Sequence, residues 1–258
     1  MTAEEQAKRR KTRATNETRL GRDQLPVENV DIKDFSGRAL KPVAEFRYLG
    51  TIATANGNSA KEIDRRLALA TAVFARLGKI WMTGDISLKL KCDLYFAIVM
   101  TVLLYNGECW VVSPRDLKRL EGFHFRCARR ITRRTRCPDM ADDHKEDRAS
   151  HAEVFRVSRL PRIDDMLREK RLRWFGHLAR GEEGDPAKNA LEQEMAQGDS
   201  KWWAQMVADF KLTKIGVKNS LKMAANRSKW RNLSACRAAQ RRQNGRPGRE
   251  YKASLKKK

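Results

Sequence analysis

Long apolar runs are missing from this chain. The longest, Ala97 to Tyr105, is about half of what a helix needs to cross a bilayer, so it reads as a buried helix. The first twenty residues carry Lys8, Arg9, Arg10, Lys11 and Arg13, but no apolar segment follows them. A secretory signal is therefore not expected, and Glu4, Glu5 and Glu17 make a poor mitochondrial presequence. Cysteine is scarce too. Cys92, Cys109, Cys127, Cys137 and Cys236 are odd in number, widely spaced and without a CxxC pair. A disulfide framework is not expected, and a reducing, intracellular setting is. Acidic residues are the other shortage: 32 Asp and Glu against 55 Lys and Arg leave a net charge of +23 over 258 residues. That excludes a partner that presents mainly cations. With 41% hydrophobic residues and six Trp, the chain can still bury a core.

The positive charge is concentrated. Residues 211–258 hold +15 and residues 115–136 hold +7, which leaves +1 for the rest. A surface made only for solubility mixes the signs more evenly. A near-neutral body with two basic segments makes a polyanion the expected partner, nucleic acid first. An anionic membrane is the weaker alternative, because no lone amphipathic helix with an exposed apolar face stands out.

Residues 1–26 read as a flexible basic N-terminus. From 27 to 58 the pattern suits a small β-hairpin. Val27, Val30 and Ile32 lead to a turn at Ser36-Gly37, then Leu40, Val43, Phe46, Tyr48 and Ile52 lead to a second at Asn56-Gly57. Everything after Ser59 reads as helix. Ile63, Leu67, Ala70, Phe74, Leu77 and Trp81 form one apolar stripe. Asp85 or Ser87 can cap the next helix, whose apolar stripe runs through Leu90, Leu94, Ile98, Val102 and Tyr105 and which, apolar on most sides from Ala97, is expected at the centre of the core. Ser113-Pro114 with Asp116 is a strong helix start, and the helix it opens buries Leu117, Leu120, Phe123, Cys127 and Ile131. Its remaining surface carries Lys118 together with Arg119, Arg126, Arg129, Arg130, Arg133 and Arg134, and the guanidinium forks suit phosphate oxygens. Ser150 with Glu153 is a capping box. A further helix carries Ile163, Leu167, Trp174 and Leu178, with Lys170, Arg171, Arg173 and Arg180 predicted to be exposed. Trp202, Trp203, Met206, Val207 and Phe210 mark another short helix, and Trp230 with Leu233 a last one. Residues 243–258 read as a basic tail, with Arg241 and Arg242 just before it and Arg246 and Arg249 within it as further phosphate contacts.

Several strings then line up. Phe46-Arg47-Tyr48-Leu49-Gly50 precedes Glu62-Ile63-Asp64-Arg65-Arg66, Ile86-Ser87 with Lys91, and Leu103-Leu104-Tyr105-Asn106-Gly107-Glu108-Cys109-Trp110. Phe123-His124-Phe125-Arg126-Cys127, Arg171 to Arg180, Trp202-Trp203, and Arg227 with Trp230 follow. Their order and spacing, from about residue 30 to about 232, resemble the C-terminal part of a LINE-type (non-LTR) retrotransposon reverse transcriptase. The resemblance implies a mainly α fold: a thumb- and linker-like helical bundle with a small N-terminal β-hairpin and a basic C-terminal extension. It implies a thumb-like domain over 59–136, linker helices over 137–180 and a C-terminal helical segment over 181–242. Phe46, Tyr48, Leu49 and Gly50 would belong to a primer grip, the seat of a primer 3′ end. Asn106 stands where the family commonly has glycine.

Copying a strand requires aspartates that hold two divalent metals for the in-line displacement. The family carries one of them in an aromatic-Ala-Asp-Asp turn placed before the primer grip. Here Met140-Ala141-Asp142-Asp143 lies about ninety residues after Tyr48, with no strand-like flanks. It reads as a solvated acidic loop, and polymerase activity is not expected from this chain alone. Zinc is not expected either. His124 and Cys127, with Cys137, His144 or His151, have suitable side chains but match no common ligand spacing. No recognisable nucleophile triad accompanies the four histidines, and His177 reads as a packed helix residue. Trp81, Trp110 and Trp174 read as core, with Trp203 open between core and base stacking.

The functional expectation is backbone binding of RNA or an RNA/DNA duplex, with steep salt dependence and no cofactor. The alternative is a non-catalytic structural subunit of a large ribonucleoprotein such as a ribosome, in the nucleus, an RNP-containing compartment or an organelle.

Overall fold

The computed structural model describes residues 33–40, 43–133 and 151–234. Residues 1–26, read from the sequence as an N-terminal segment, Arg134, the acidic string 139–147, Ser150 of the capping box, and Arg241, Arg242, Arg246 and Arg249 lie outside the described residues. The chain is mainly helical with a small N-terminal antiparallel hairpin. It divides after Glu62 into two compact units.

In the first unit, β1 (Glu45–Tyr48) pairs with β2 (Thr51–Thr54) in the register Tyr48↔Thr51 and Phe46↔Ala53. Turns form at Ser36-Gly37, where Asp34 accepts from Ser36 and Arg38 amides at 2.9 Å, and at Asn56-Gly57. The predicted run from Leu40 to Ile52 is not one strand. The chain reverses at Leu49-Gly50, both at positive φ (45° and 75°), which is the two-residue hairpin turn that matches strand twist. A leucine at positive φ gives no composition signal, so the pattern alone misses this turn. Glu62 accepts from the Ile52 amide at 3.0 Å, and Lys61 pairs with Glu45, so the hairpin is tied to the helix start that follows it.

The second unit is built on two hydrophobic cores. Helix α1 (Ala60–Arg76) sends Ile63, Ala70 and Phe74 into the first. The stripe continues to Trp81 only after a break at Leu77, where α2 (Gly78–Met82) begins. Trp81 stacks on Phe74 with centroids 5.1 Å apart and donates its indole N–H to the Phe74 carbonyl at 2.9 Å. Helix α3 starts at Ser87, whose hydroxyl accepts from the Leu90 amide, and runs Leu88–Leu94 into a π-helical stretch Tyr95–Met100 and a last turn Thr101–Leu103. Widening the turn shifts the inward face. Cys92, Tyr95, Val99, Met100 and Leu103 are buried, while Leu90, Ile98 and Tyr105 of the predicted stripe are exposed. Regular 3.6 spacing cannot show such a shift. The buried Lys91 ammonium donates to the Trp81 and Thr83 carbonyls at 3.0 and 2.6 Å, which satisfies the end of α2.

Asn106 adopts the left-handed conformation, φ 57°. Asparagine is among the few residues that tolerate it, which gives the departure from glycine a physical reason. Ser113 then caps α4 (Pro114–Ile131), accepting from the Asp116 amide at 3.1 Å.

His124 of α4 is fully buried. Its Nε2 lies 2.9 Å from the Pro161 carbonyl and its Nδ1 2.9 Å from the Tyr95 hydroxyl. A carbonyl only accepts, so Nε2 carries the proton and Nδ1 accepts from tyrosine. Neither nitrogen is left for a metal. Burial pushes the imidazole pKa down to about 4. The unfolded chain, near 6.5, therefore takes up the proton first as pH falls. This contribution is complete above pH 6.5 and is lost between 6.5 and 4, roughly 3 kcal/mol in all. Urea melts at pH 7.5 and 4.5 should show that extra loss in the wild type and not in His124→Asn. Equal pH slopes would refute the neutral buried histidine.

α5 (His151–Ser158) lies on α4, with the His151 ring stacked on Phe125 at 3.5 Å. α6 (Ile163–Leu178) is shared between the cores. Ile163, Met166 and Leu167 lie in the first; Leu172 and Phe175 lie in the second. Its start is capped from α4, where Glu121 accepts from the Ile163 amide at 3.1 Å. The second core is completed by Leu191 of α7 (Pro186–Gln197), by Trp203, Met206 and Phe210 of α8 (Lys201–Thr213), by Ala224 of α9 (Val217–Ala225), and by Trp230 in the helical stretch 227–234. Among the described residues no helix is long and apolar enough to cross a membrane.

Candidate nucleic-acid interface

Helix α4 divides cleanly. Leu120, Phe123, His124, Cys127, Ala128 and Ile131 face the core. Arg115, Lys118, Arg119, Arg126 and Arg130 are exposed. Steps of three and four residues place 115, 119, 122, 126 and 130 along one side, so the cations form a stripe rather than a ring. Gly122 occupies the middle of that stripe.

The arginines named from the sequence do not all behave alike. Arg126 and Arg130 are exposed and make no ion pair among the described residues. Arg119 is engaged by Asp64 and, at 3.1 Å, by Asp116 of its own first turn. Arg129 lies over the Phe125 ring at 5.6 Å. Arg133 follows α4 at φ 56° and donates to the Met82 carbonyl at 2.6 Å. Arg115 was not singled out from the sequence, although the spacing back from Arg119 marks it.

Arg171 is a correction. It is buried, not exposed. Its Nε and Nη2 grip the two Asp209 oxygens at 2.7 and 3.2 Å. Arg168 binds the same aspartate at 3.3 Å and reaches Asp165 at 2.9 Å and Asp164 at 2.8 Å. This cluster joins α6 to α8 inside the fold, and a ligand phosphate cannot reach it. Asp164 and Asp165, one helical turn before Arg168, are a local signal for that arginine alone; nothing near Arg171 in the sequence marks its partner. Arg173 is exposed and pairs with Glu169 at 3.0 Å. Arg180 is half-buried and donates to the Ala224 carbonyl at 2.7 Å. Desolvation, then the charge of Arg227, draws its pKa down.

In the first unit, Phe46 and Tyr48 share one face of β1. Both are exposed, with rings stacked 6.4 Å apart, beside the Leu49-Gly50 turn. The four primer-grip-like positions thus come together at one hairpin tip.

The tryptophans are structural. Trp81, Trp110, Trp203 and Trp230 are buried; Trp174 is only half-buried, against the expectation of core. Trp202 donates to the Glu108 carbonyl at 2.9 Å. His177 is exposed beside Trp174, not packed. Cys137 and His144 lie outside the described residues, among which no group of three metal-ligating side chains occurs.

No family model matches the chain, and no solved structure does. Over 149 residues, 56% of its length, it is 30% identical to an uncharacterised transposon-derived protein of Caenorhabditis elegans. It spans half the length of that relative. The similarity supports a transposon-related origin.

Proposed function

We propose that this chain binds the backbone of RNA or an RNA/DNA duplex and derives from the thumb and linker region of a LINE-type reverse transcriptase. The observation that carries this reading is the α4 stripe. Arg115, Lys118, Arg126 and Arg130 stand exposed on a helix whose opposite side is locked into the core. Guanidinium groups on a fixed rod suit phosphates along a strand and carry no sequence code. The exposed Phe46 and Tyr48 rings add a surface on which a terminal base could stack.

By itself the chain copies no strand. Primer extension with Mg²⁺ and dNTPs is the assay that would overturn this point. For binding, Arg126→Gln with Arg130→Gln should leave the melting curve unchanged. On an RNA/DNA hybrid it should flatten the slope of log affinity against log salt by about 2, and weaken binding at 0.1 M salt about tenfold or more. A wild-type slope in the double variant would remove α4 from the interface.

A further inference from the structure

A second cationic surface lies on the other core. Between Asp209 and Ser234 the chain has seven Lys or Arg and no acid. The apolar residues of this segment, Phe210, Ile215, Ala224 and Trp230, point inward and are buried. Lys211, Lys214, Lys218, Lys222 and Arg227 are all exposed, with no ion pair among the described residues. This face lies within described residues, 211–227, most of them helical.

Its geometry gathers charge. Lys214 ends α8 in the left-handed conformation, φ 58°, and α9 begins three residues later. Lys211 in the last turn of α8 and Lys218 in the first turn of α9 therefore flank one short connection. Lys222 is one helical turn further along the same side of α9. Lys211 and Lys222 stand in the last turns of their own helices, where the dipole favours a cation. Lys218 stands in the first turn of α9, where the helix dipole disfavours a cation and where no acid is present. Lys218 and Lys222 repel each other at i, i+4. Helix stability therefore does not account for Lys218, or for gathering like charges on one segment. A solubility role accounts for them poorly too, because the signs are segregated: the acids Glu182, Glu183, Glu192 and Glu194 lie on or before α7.

The face is also held rigidly. α6 runs through both cores, and α8 is fastened to the segment before α4 by the Gln205 amide, which donates to the Val112 carbonyl at 2.9 Å, and by Trp202 on Glu108. An anionic membrane would want apolar side chains among the lysines. Leu212 is the one large apolar residue between 210 and 234 counted as exposed.

We infer that the end of α8 and α9 form a second phosphate-contact face, separate from α4, for the backbone of the same nucleic acid. The choice of ligand rests on the function proposed above; the existence of the face does not.

The test uses the full chain, a fluorescent 20-nucleotide RNA, its hybrid with DNA, and vesicles containing phosphatidylserine. The variant Lys211→Gln, Lys214→Gln, Lys218→Gln, Lys222→Gln should melt as the wild type does. Its salt slope should fall by about 2 or more, and its affinity at 0.1 M salt about tenfold or more, since each phosphate contact contributes about 0.7–0.9 to the slope. Combining it with Arg126→Gln and Arg130→Gln should add the two losses. If the lysine variant keeps the wild-type slope while the α4 variant loses its own, the second face is refuted and α4 stands. If neither variant changes the slope, both faces are refuted; if the wild type binds neither the RNA nor the hybrid, nucleic-acid binding itself is refuted. Loss of vesicle binding with nucleic-acid binding intact would make this a lipid-binding face and overturn the inference.

Discussion

Asp209→Ala should destabilise the chain by about 3–5 kcal/mol, the cost of breaking a buried ion pair from one side. Asp209 and Arg171 are both buried, and the pairing is bidentate. Removing the carboxylate leaves Arg171 charged with no way out to water. Arg168 loses one of three acidic partners but keeps Asp164 and Asp165. The loss should therefore come mainly through Arg171, and Arg171→Met in the Asp209→Leu background should recover much of it, because an apolar pair of similar volume needs no desolvation. Urea unfolding followed by far-UV circular dichroism gives the measurement. A cost below about 1 kcal/mol for Asp209→Ala would mean that the cluster does not hold α8 on α6.

Gly176→Val should cost about 3–5 kcal/mol, the scale of losing a packed tryptophan. Gly176 lies inside α6, where a larger residue would normally help: glycine is about 1 kcal/mol worse than alanine in a helix. Here a Cβ would overlap the Trp230 indole at Cδ1 and Nε1 and would sit 3.1 Å from an Arg180 nitrogen. Trp230 cannot withdraw freely, because its N–H donates to the Leu172 carbonyl at 2.7 Å and its ring packs 5.5 Å from Phe175. The substitution should expel the indole and release the stretch 227–234 that leads to the basic tail. Even Gly176→Ala should lower the melting temperature, and Trp230→Leu in the same chain should relieve the clash. A higher melting temperature for Gly176→Ala would show that helix propensity wins and that Trp230 does not dock there.

Both effects concern how the cationic faces are held. α4 presents its arginines because Phe123, His124 and Cys127 hold its other side in the first core. The α8–α9 face depends on the second core and on the Asp209 cluster that mounts α8 on α6. Loss of either anchor should change binding indirectly through the fold, whereas the exposed Gln substitutions should change it with the fold intact.

Much of this was legible along the chain. Ser87 and Ser113 cap helices where their sequence context places them, and the apolar positions of α4 fall on one side, because capping and periodicity are local properties that neighbours within a few residues decide. The two basic segments are equally plain in composition. What sequence reasoning assigned wrongly depends on partners far away. Arg171 looks like any arginine on a polar helix face until α8 brings Asp209 to it, 38 residues later. The inward side of α3 turns on a π-helical stretch that regular spacing does not predict. Trp203 was undecidable between core and stacking until Phe175 and Phe210 closed around it. Local chemistry along the sequence therefore determined where helices start, which class of ligand the charge favours and which family the strings resemble. Only the tertiary structure decided which cations remain free to meet that ligand, because burial and ion pairing depend on residues that the fold, not the chain order, makes neighbours.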